Sequence, residues 1–372
     1  MNSVIIEKME IIKNLVLFAL LLSIIVSVHE FGHLVAAKIF GVYFKEYSIG
    51  MGPKIFSKKG KETEYCIRAL PVGGFVAMAG DTDNQLETSV DTTDIPFERT
   101  LPGIAVWKRI IVMLAGIFMN LILAILIYSM LILHNGQYVT SSKPEIVSVV
   151  EGSPAEKAGI QEGDIVTHIG FSNGLSISPE SYRELISFTS TYDGNGPWTV
   201  EVERGSKTVE LEIYPEYYED EDRYMIGIAF SDKAMQIVDV NIFNCWKFGI
   251  EYAIFIVKLT WSSFISLFRG MNLSSVSGPI GIYSTVSEAA SMGIDYYVQL
   301  IALISINVGI VNALPLPIFD GGRVLLALIE LVLRKPLNKK AQDFVMTASL
   351  IILLLLFFFV TYNDVSKLIG GR

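Results

Sequence analysis

Two histidines and a glutamate lie within five positions of one another inside an apolar stretch. His29, Glu30 and His33 fall in the segment 23–40, S-I-I-V-S-V-H-E-F-G-H-L-V-A-A-K-I-F. Histidines four positions apart project from the same face of a helix, so both imidazoles can bind one metal ion with the glutamate beside them. The pattern is typical of a zinc-dependent hydrolase.

The apolar surroundings of the motif favour this interpretation. A five-residue pattern occurs by chance in many helices, where the two histidines need only hydrogen-bond partners. In a membrane-spanning helix, however, each ionisable group costs several kcal/mol, so such groups usually mark a functional site. We therefore predict a metal site at His29 and His33, with Glu30 as the catalytic residue.

The composition is that of a membrane protein. The chain has 372 residues, of which 51% are hydrophobic, and its mean hydropathy is +0.48. Several segments reach the roughly 20 apolar residues that a helix needs to cross a bilayer. The formal net charge of -9 argues against a nucleic-acid partner, and two cysteines cannot form a disulfide framework.

The charges that flank the apolar segments predict four transmembrane helices. Lysines and arginines are frequent in the loop after the first span, so the positive-inside rule places this loop and the nearby metal motif on the cytoplasmic side. The first span is expected to be retained, because no small-residue cleavage site precedes the His-Glu pair. Cys66 and Cys245 then lie on opposite sides and are not expected to pair. The spans are predicted at about 14–36, 110–133, 298–318 and 344–362.

The segment 246–268 is apolar but is interrupted by Lys247, Glu251 and Lys258. If it crossed the membrane, the next span would run outwards and carry Asp320 away from the metal motif. We therefore predict an amphipathic helix at the outer surface. The predicted segments are 1–40 with the metal motif, 41–105 as a cytoplasmic loop with β-structure, 106–134 as the second span, 140–232 as a soluble domain, 240–296 as the surface helix and connector, 297–335 as the third membrane segment and 340–362 as the fourth span.

Two segments outside the spans are expected to form β-structure. Segment 64–80 is rich in strand-forming residues, and Gly73-Gly74 after Pro71 predicts a turn. Its edge either pairs with an extended substrate or closes the loop structurally. Residues 140–232 carry G-S-P-A, A-G-I and G-D-I-V in a strand, helix, strand order that resembles the PDZ (α+β) domains of bacterial proteases. This domain either binds peptides by strand addition or gates substrates by size.

A catalytic zinc ion usually has three protein ligands and a water, so a third ligand is needed. His134 follows the outer end of the second span and His168 lies in the PDZ segment, so both are badly placed. A carboxylate near the cytoplasmic end of another span is expected instead. Asp320 fits, because prolines and glycines break the helix around it and broken backbone at membrane depth lines a polar cavity. Glu330 is the runner-up, and Asn120 is expected to serve interhelical packing.

The combination of motifs resembles the site-2 protease family of intramembrane zinc metalloproteases, of the bacterial RseP/RasP type with one PDZ domain. The resemblance covers nearly the whole chain and is carried by H-E-F-G-H at 29–33, S-G-P at 277–279, N-A-L-P at 312–315 and D-G-G at 320–322. It implies a Zn2+ ion bound by His29, His33 and Asp320, with Glu30 as catalytic base. The substrate-contacting residues that it implies are Asn307, Asn312, Pro315, Gly73, Gly74 and Phe75.

The resemblance also implies the reaction and its setting. The expected activity is hydrolysis of peptide bonds in or near transmembrane segments of single-span proteins, such as anti-sigma factors or signal-peptide remnants. The expected partners are these substrates, a PDZ-bound peptide or site-1-cleaved substrate, and the lipid bilayer. The expected location is the cytoplasmic membrane, with the active site near the cytoplasmic face and the PDZ domain outside.

Two other classes of function compete with this reading. A membrane-bound PDZ scaffold or pseudoprotease would hold structural zinc with a fourth protein ligand, and none is evident near the motif. A metal transporter would need ionisable groups along a path, which the other spans almost lack. Within the family pattern, Phe319 replaces the usual Leu and Arg323 stands where many members have His.

Overall fold

The computed structural model describes residues 2–80, 94–141, 143–218, 223–230, 235–268, 278–335 and 337–370. The helices of this part of the chain are α1 (Asn2–Ile39), α2 (Val106–Asn135), α3 (Pro154–Ala158), α4 (Tyr182–Thr189), α5 (Cys245–Phe268), α6 (Pro279–Met292), α7 (Ile294–Asn312), α8 (Asp320–Leu333) and α9 (Lys339–Gly370). The strands are β1 (Phe44–Lys59), β2 (Glu64–Met78), β3 (Gln137–Ser141), β4 (Ile146–Val149), β5 (Ile165–Phe171), β6 (Ser176–Ile177), β7 (Trp198–Arg204), β8 (Lys207–Ile213), β9 (Glu216–Tyr218), β10 (Arg223–Met225), β11 (Ile228–Phe230) and β12 (Met235–Asp239).

The chain divides into two compact units. Unit 1 comprises Met1–Ile127 and Val276–Arg372, and unit 2 comprises Tyr128–Ser275. Five helices within the described ranges are long and apolar enough to cross a bilayer: Lys8–Ile39, Val106–Asn135, Cys245–Ile265, Ile294–Asn312 and Gln342–Ser366. The chain is a multi-pass membrane protein. Four of these helices overlap the four predicted spans, and the additional one is α5.

The third membrane segment is broken, as its prolines and glycines predict. Helix α7 ends at Asn312, several residues before the predicted end of the span, and α8 begins at Asp320 after an irregular stretch at 313–319. A Cβ atom at Gly321 or Gly322 would collide with the backbone of that stretch. The two glycines therefore allow the first turn of α8 to pack directly against the preceding loop, which fixes the position of Asp320.

The β-structure of the first loop is a single sheet in which β1 is paired on both sides. Tyr47 pairs with Val76 on one side and with Tyr65 on the other. The turn predicted at Gly73-Gly74 lies where β2 changes direction, because 64–67 run in the same direction as 46–49 whereas 74–78 run against 44–49. Gly73 takes a positive φ of 77° in this reversal, and a separate reversal between β1 and β2 lies at 60–63.

This sheet packs on the end of α1 that carries the metal motif. Val76 and Met78 of β2 join Leu34 and Ala37 of α1 and Val112 of α2 in one buried apolar cluster. Burial of such side chains contributes about 1.5–3 kcal/mol each. The packing holds the last residues of β2 next to the histidines.

The other half of α1 contacts α6 and α7. Leu21 and Ile25 of α1 pack against Val286 of α6 and Tyr297 of α7, and the Tyr297 hydroxyl donates a hydrogen bond to the carbonyl oxygen of Leu17 at 2.8 Å. Helix α6 lies in a segment predicted only as a connector. Its first residue is Pro279, and proline is common in the first turn of a helix. In the sequence, Gly278-Pro279 instead suggests an interruption of regular structure.

Unit 2 contains a four-stranded antiparallel sheet with the order β6-β5-β7-β8, and β11 pairs separately with β4. Helix α3 begins where predicted, with the Ser153 hydroxyl accepting from the Glu156 N–H, and ends at Gly159 in the left-handed conformation. Phe171 stacks on Phe188 at a ring distance of 4.5 Å inside this unit. The order of strands and helices is the predicted one, and the assignment to the PDZ class stays a prediction.

An ion pair joins the residue before β5 to the last residue of β7 in unit 2. Asp164 is fully buried, and its carboxylate accepts from Arg204 Nε and Nη2 at 2.8 and 2.7 Å and from the Gln161 N–H at 2.9 Å. Burial raises the pKa of Asp164, but the Arg204 guanidinium and the Gln161 N–H more than offset this and hold the pKa below its usual range.

The Asp164 pair should make the stability of unit 2 depend on pH. Because the folded-state pKa is depressed, the contribution is present above the unfolded pKa of about 4 and is lost as pH falls through the folded value. We expect Asp164→Asn to cost about 3 kcal/mol at pH 7, since it leaves Arg204 facing a neutral partner. Denaturant unfolding of the full chain in detergent, followed by fluorescence of the buried Trp198, measures this. A mutant that is equally destabilised at pH 3 and pH 7 would contradict it.

Candidate active site

Three potential metal ligands converge near the C-terminal end of α1. His29 Nε2 lies 3.0 Å from Asp320 Oδ2, His33 Nε2 lies 3.3 Å from the same oxygen, and the two Nε2 atoms are 3.2 Å apart. The histidines are 7% and 6% exposed. Residues 29 and 33 are brought together by the helical period, whereas Asp320 arrives from the first turn of α8.

This triangle has the size of a tetrahedral zinc site. With Zn–N and Zn–O distances of about 2.0–2.1 Å, the edge of a tetrahedron is about 3.3–3.4 Å. Asp320 Oδ2 is buried and forms no hydrogen bond of acceptable geometry despite its two imidazole neighbours, as expected of an atom aimed at a metal position. Among the described residues no fourth His, Cys, Asp or Glu joins the cluster, so the donor set leaves an open position.

The tautomer of His33 is set by a main-chain acceptor. His33 Nδ1 lies 2.8 Å from the carbonyl oxygen of Val112 on α2. A carbonyl only accepts, so Nδ1 carries the hydrogen and Nε2 keeps its lone pair for a metal. Gly116, one turn further along α2, makes room for both rings, since a Cβ there would lie 2.5 Å from His33 Nε2 and 2.7 Å from His29 Cε1.

The side chain of Asn120 approaches the other imidazole. Asn120 is fully buried on α2, and its amide nitrogen lies 3.3 Å from His29 Nδ1. The packing role predicted for this residue is therefore incomplete, because it contacts a potential metal ligand. In the sequence, Asn120 stands out only as a single amide in an apolar span, four residues after Gly116. Because His29 is 91 residues away in the chain, the sequence gives no reason to pair the two.

Glu30 lies beside the triangle but outside it. It lines a cavity of about 170 Å³ together with the three potential ligands. The lining also includes Met78, Leu101, Asn312, Ile318 and Arg323. Arg323 brings the only permanent positive charge to this lining, within range of the Glu30 carboxylate. The cavity thus combines a metal-sized donor set, a further carboxylate and a cation.

Comparison with known proteins identifies the family. The profile of Peptidase family M50 matches residues 17–356. The chain belongs to Peptidase family M50. It is 30% identical to the "Regulator of sigma-W protease RasP" of Bacillus subtilis, over 96% of this chain and 99% of the relative. It is 32% identical to a putative zinc metalloprotease of Clostridium acetobutylicum (95% and 97%) and 28% identical to the zinc metalloprotease RasP of Shouchella clausii (95% and 99%).

As a member of family M50 the protein is a zinc metalloprotease with Zn2+ as its cofactor. The residues that converge in its structure fit that ion in number, chemistry and spacing. His29 and His33 supply imidazole nitrogens and Asp320 a carboxylate oxygen, which are common zinc ligands in hydrolases. A closed structural zinc site would need a fourth protein ligand, and the described residues provide none there.

Of the six residues predicted to contact substrate in this M50 protease, one lines the cavity. Asn312 lines the cavity, whereas Asn307 and Pro315 do not. Gly73, Gly74 and Phe75 are also absent from the lining, which β2 reaches through Met78. The Phe75 ring instead lies 5.0 Å from the Arg68 guanidinium.

Glu330, the alternative third ligand, is paired away from the histidines. Its carboxylate lies 2.7 Å from Arg109 Nη2 and also accepts from the Leu337 N–H at 3.2 Å. The ion pair joins the start of α2 to the end of α8. Glu330 therefore has a structural partner, and Asp320 is the carboxylate at the site.

A second cluster of potential metal ligands in the M50 protease is occupied by ion pairs. Glu46, Glu64 and Cys66 lie close enough to hold an ion. However, Lys54 lies 2.9 and 2.8 Å from the two carboxylates, and Arg68 lies 2.8 Å from Glu46. Burial raises the pKa of Glu46, but these two cations more than offset it and hold the pKa below its usual range. The cluster stabilises the sheet.

Proposed function

We propose that this protein hydrolyses peptide bonds in or near transmembrane segments of single-span membrane proteins, with zinc held by His29, His33 and Asp320 and with Glu30 as the base. The observation that supports this most directly is the convergence of the three ligand atoms, two from the apolar helix α1 and one from α8, next to Glu30. The Bacillus subtilis relative is named a regulator of sigma-W, and this name supports the proposal that the substrates include anti-sigma factors.

The chemistry divides between the ion and the side chains. When bound, zinc supplies a Lewis acid that brings the pKa of a water towards about 7 and polarises the scissile carbonyl. Glu30 accepts the proton of the attacking water as the new C–O bond forms, and it then passes this proton to the leaving amine as the C–N bond breaks. Arg323 places positive charge near the carbonyl oxygen as it gains negative charge.

A helical substrate must unwind before it can be cut. Each backbone carbonyl of a transmembrane helix is hydrogen-bonded within the helix, which shields it from attack. Asn312 lines the cavity at the end of α7 and offers both a donor and an acceptor to an unwound backbone. The edge of β2 near Met78 offers strand pairing to the same extended segment. We infer that both hold the extended form.

We expect Asn312→Leu to slow cleavage of a stable helical reporter by about 10-fold, the value of one or two lost hydrogen bonds, and that of a reporter with helix-breaking residues by less than about 3-fold. The assay uses the purified full chain with zinc and two single-span reporters that differ only in the cleaved segment. Asn307→Leu, which alters an amide outside the cavity lining on the same helix, is the control. Equal slowing of both reporters would contradict a role in unwinding, and zinc-independent cleavage would contradict the proposed protease.

We infer that α5 lies on the outer membrane surface, so that the chain crosses four times. The Asp364 carboxylate accepts from the Gly278 and Gly281 N–H groups at 3.1 and 2.9 Å, which anchors the start of α6 to α9. Asp364 lies about 38 Å along α9 from Lys339 at 1.5 Å per residue. Since the basic start of α9 is assigned to the cytoplasm, α6 begins near the outer face. In this topology the end of α2 and the start of α6 both lie at the outer face of the membrane.

The surface of α5 supports this placement. Its exposed apolar side chains share one stripe: Trp246, Ile250, Ile254, Trp261 and Ile265. Lys247 and Glu251, 3.8 Å apart, border the stripe, and Lys258 pairs with Glu180 at 2.5 Å. A helix of this kind lies in the interface plane with the stripe among the lipids and the charges in water.

Cysteine labelling in intact cells tests the topology. We expect Lys247→Cys and Lys258→Cys to react with a membrane-impermeant maleimide from outside, because both positions border water on a surface helix. Lys58→Cys, in the loop assigned to the cytoplasm, should react only after permeabilisation. Protection of position 258 with labelling at 247 would show that α5 enters the bilayer.

We also propose that unit 2 contains a peptide-binding PDZ domain. An apolar groove of about 450 Å³ lies within it, lined by Tyr182 and Leu185 of α4 and by Ile228 and Phe230 of β11. Strand β11 pairs with β4 along one edge, so a peptide strand can add on the groove side. Its location outside the membrane follows from the four-crossing topology.

A further inference from the structure

Asn120 is held rigidly where three elements of unit 1 meet. The residue is fully buried on α2, and its main-chain oxygen accepts a hydrogen bond from the Ser305 hydroxyl of α7 at 2.9 Å. Its side-chain amide faces α1, with the nitrogen 3.3 Å from His29 Nδ1. A buried amide in an apolar span carries a desolvation cost unless its donor and acceptor are both used.

The hydrogen-bonding needs of His29 and Asn120 match each other. With Nε2 directed at Asp320 and His33, His29 must carry its hydrogen on Nδ1, which then needs an acceptor. The oxygen Oδ1 of Asn120 is buried and has no hydrogen-bond partner. Rotating the amide by 180° exchanges its two terminal atoms, so that Oδ1 accepts from His29 Nδ1–H and both needs are met.

The same arrangement already exists at the neighbouring ligand. His33 Nδ1 donates to the Val112 carbonyl at 2.8 Å, also on α2. One helix thus presents an acceptor to the outer nitrogen of each imidazole, a main-chain oxygen for His33 and a side-chain oxygen for His29. Gly116, between the two acceptors, lets α2 approach closely enough for both contacts.

We propose that Asn120 is a positioning residue that fixes the tautomer and orientation of His29 and so raises the affinity of the site for zinc. The proposal rests on the ligand set given under the proposed function. Outer partners of metal-bound histidines typically contribute 10- to 100-fold to metal affinity. Only a side chain with an acceptor at this distance can act in this way, so the chemical identity of residue 120 should matter more than its volume.

The experiment compares variants that keep or remove the acceptor. Full-length wild type, Asn120→Asp and Asn120→Leu are purified in detergent and stripped of metal, and their zinc affinity is measured by competition with a chromophoric chelator. Ser305→Ala is the matched control, because it removes an α2–α7 hydrogen bond on the Asn120 backbone without touching His29. Thermal unfolding of each metal-free protein reports packing separately.

We expect Asn120→Leu to weaken zinc binding by 10- to 100-fold, while Asn120→Asp and Ser305→Ala stay within about 3-fold of wild type. The metal-free Asn120→Leu protein should still unfold cooperatively but at a lower temperature than wild type, because the buried His29 Nδ1–H loses its acceptor. Unchanged zinc affinity in Asn120→Leu would overturn the proposal, as would equal weakening in the Leu and Asp variants. If Asp320→Asn bound zinc like wild type, the ligand set itself would fail.

Discussion

Replacing Glu30 with glutamine is expected to leave zinc bound and to lower kcat by about 10²- to 10⁴-fold, the usual contribution of a general base. Glutamine keeps the shape of the side chain but cannot accept the proton of the attacking water. Glu30 lines the cavity without belonging to the triangle formed by His29, His33 and Asp320, so the ion should keep its ligands. The effect should therefore fall on turnover and not on metal content.

Metal analysis of the purified protein beside initial rates on a single-span reporter measures both quantities. Glu10→Gln is a suitable control, because Glu10 is an exposed glutamate on the same helix, about 30 Å from Glu30 at 1.5 Å per residue. A Glu30→Gln protein with full activity would end the assignment of the base. Loss of zinc together with activity would instead make Glu30 a ligand.

The second large effect is expected at Asp320. Asp320→Asn removes the negative charge from the one oxygen that lies within 3.3 Å of both imidazoles. Loss of an outer partner alone costs 10- to 100-fold in metal affinity, so loss of a ligand charge should cost more than about 100-fold. Activity should fall with zinc occupancy and recover in part at high zinc concentration.

Glu330→Gln is the matched control for Asp320→Asn, because both carboxylates lie on α8. It should break the pair with Arg109 and lower thermal stability while leaving zinc affinity within about 3-fold of wild type. The reverse pattern, with zinc lost in Glu330→Gln and kept in Asp320→Asn, would exchange the roles of the two residues. A chelator competition assay on both proteins decides between these outcomes.

Some features of the site follow from the sequence because they depend on neighbours along the chain. His29 and His33 share a face through the helical period alone. The prolines and glycines at 313–322 break the helix wherever the segment lies, so the break was predictable, although α7 ends at Asn312 and not at 318. Long apolar runs likewise determine that the protein is embedded in a membrane.

Other features needed the tertiary structure, because they depend on distances between residues far apart in the chain. The sequence favoured Asp320 over Glu330, but only the fold shows one carboxylate beside the imidazoles and the other beside Arg109. Asn120 reads as a packing residue until α2 is seen against His29. The turn at Gly73-Gly74 is a local prediction, but only long-range strand pairing places β1 between the two halves of β2. Local sequence determines which groups are available at the site, and long-range packing decides which of them meet.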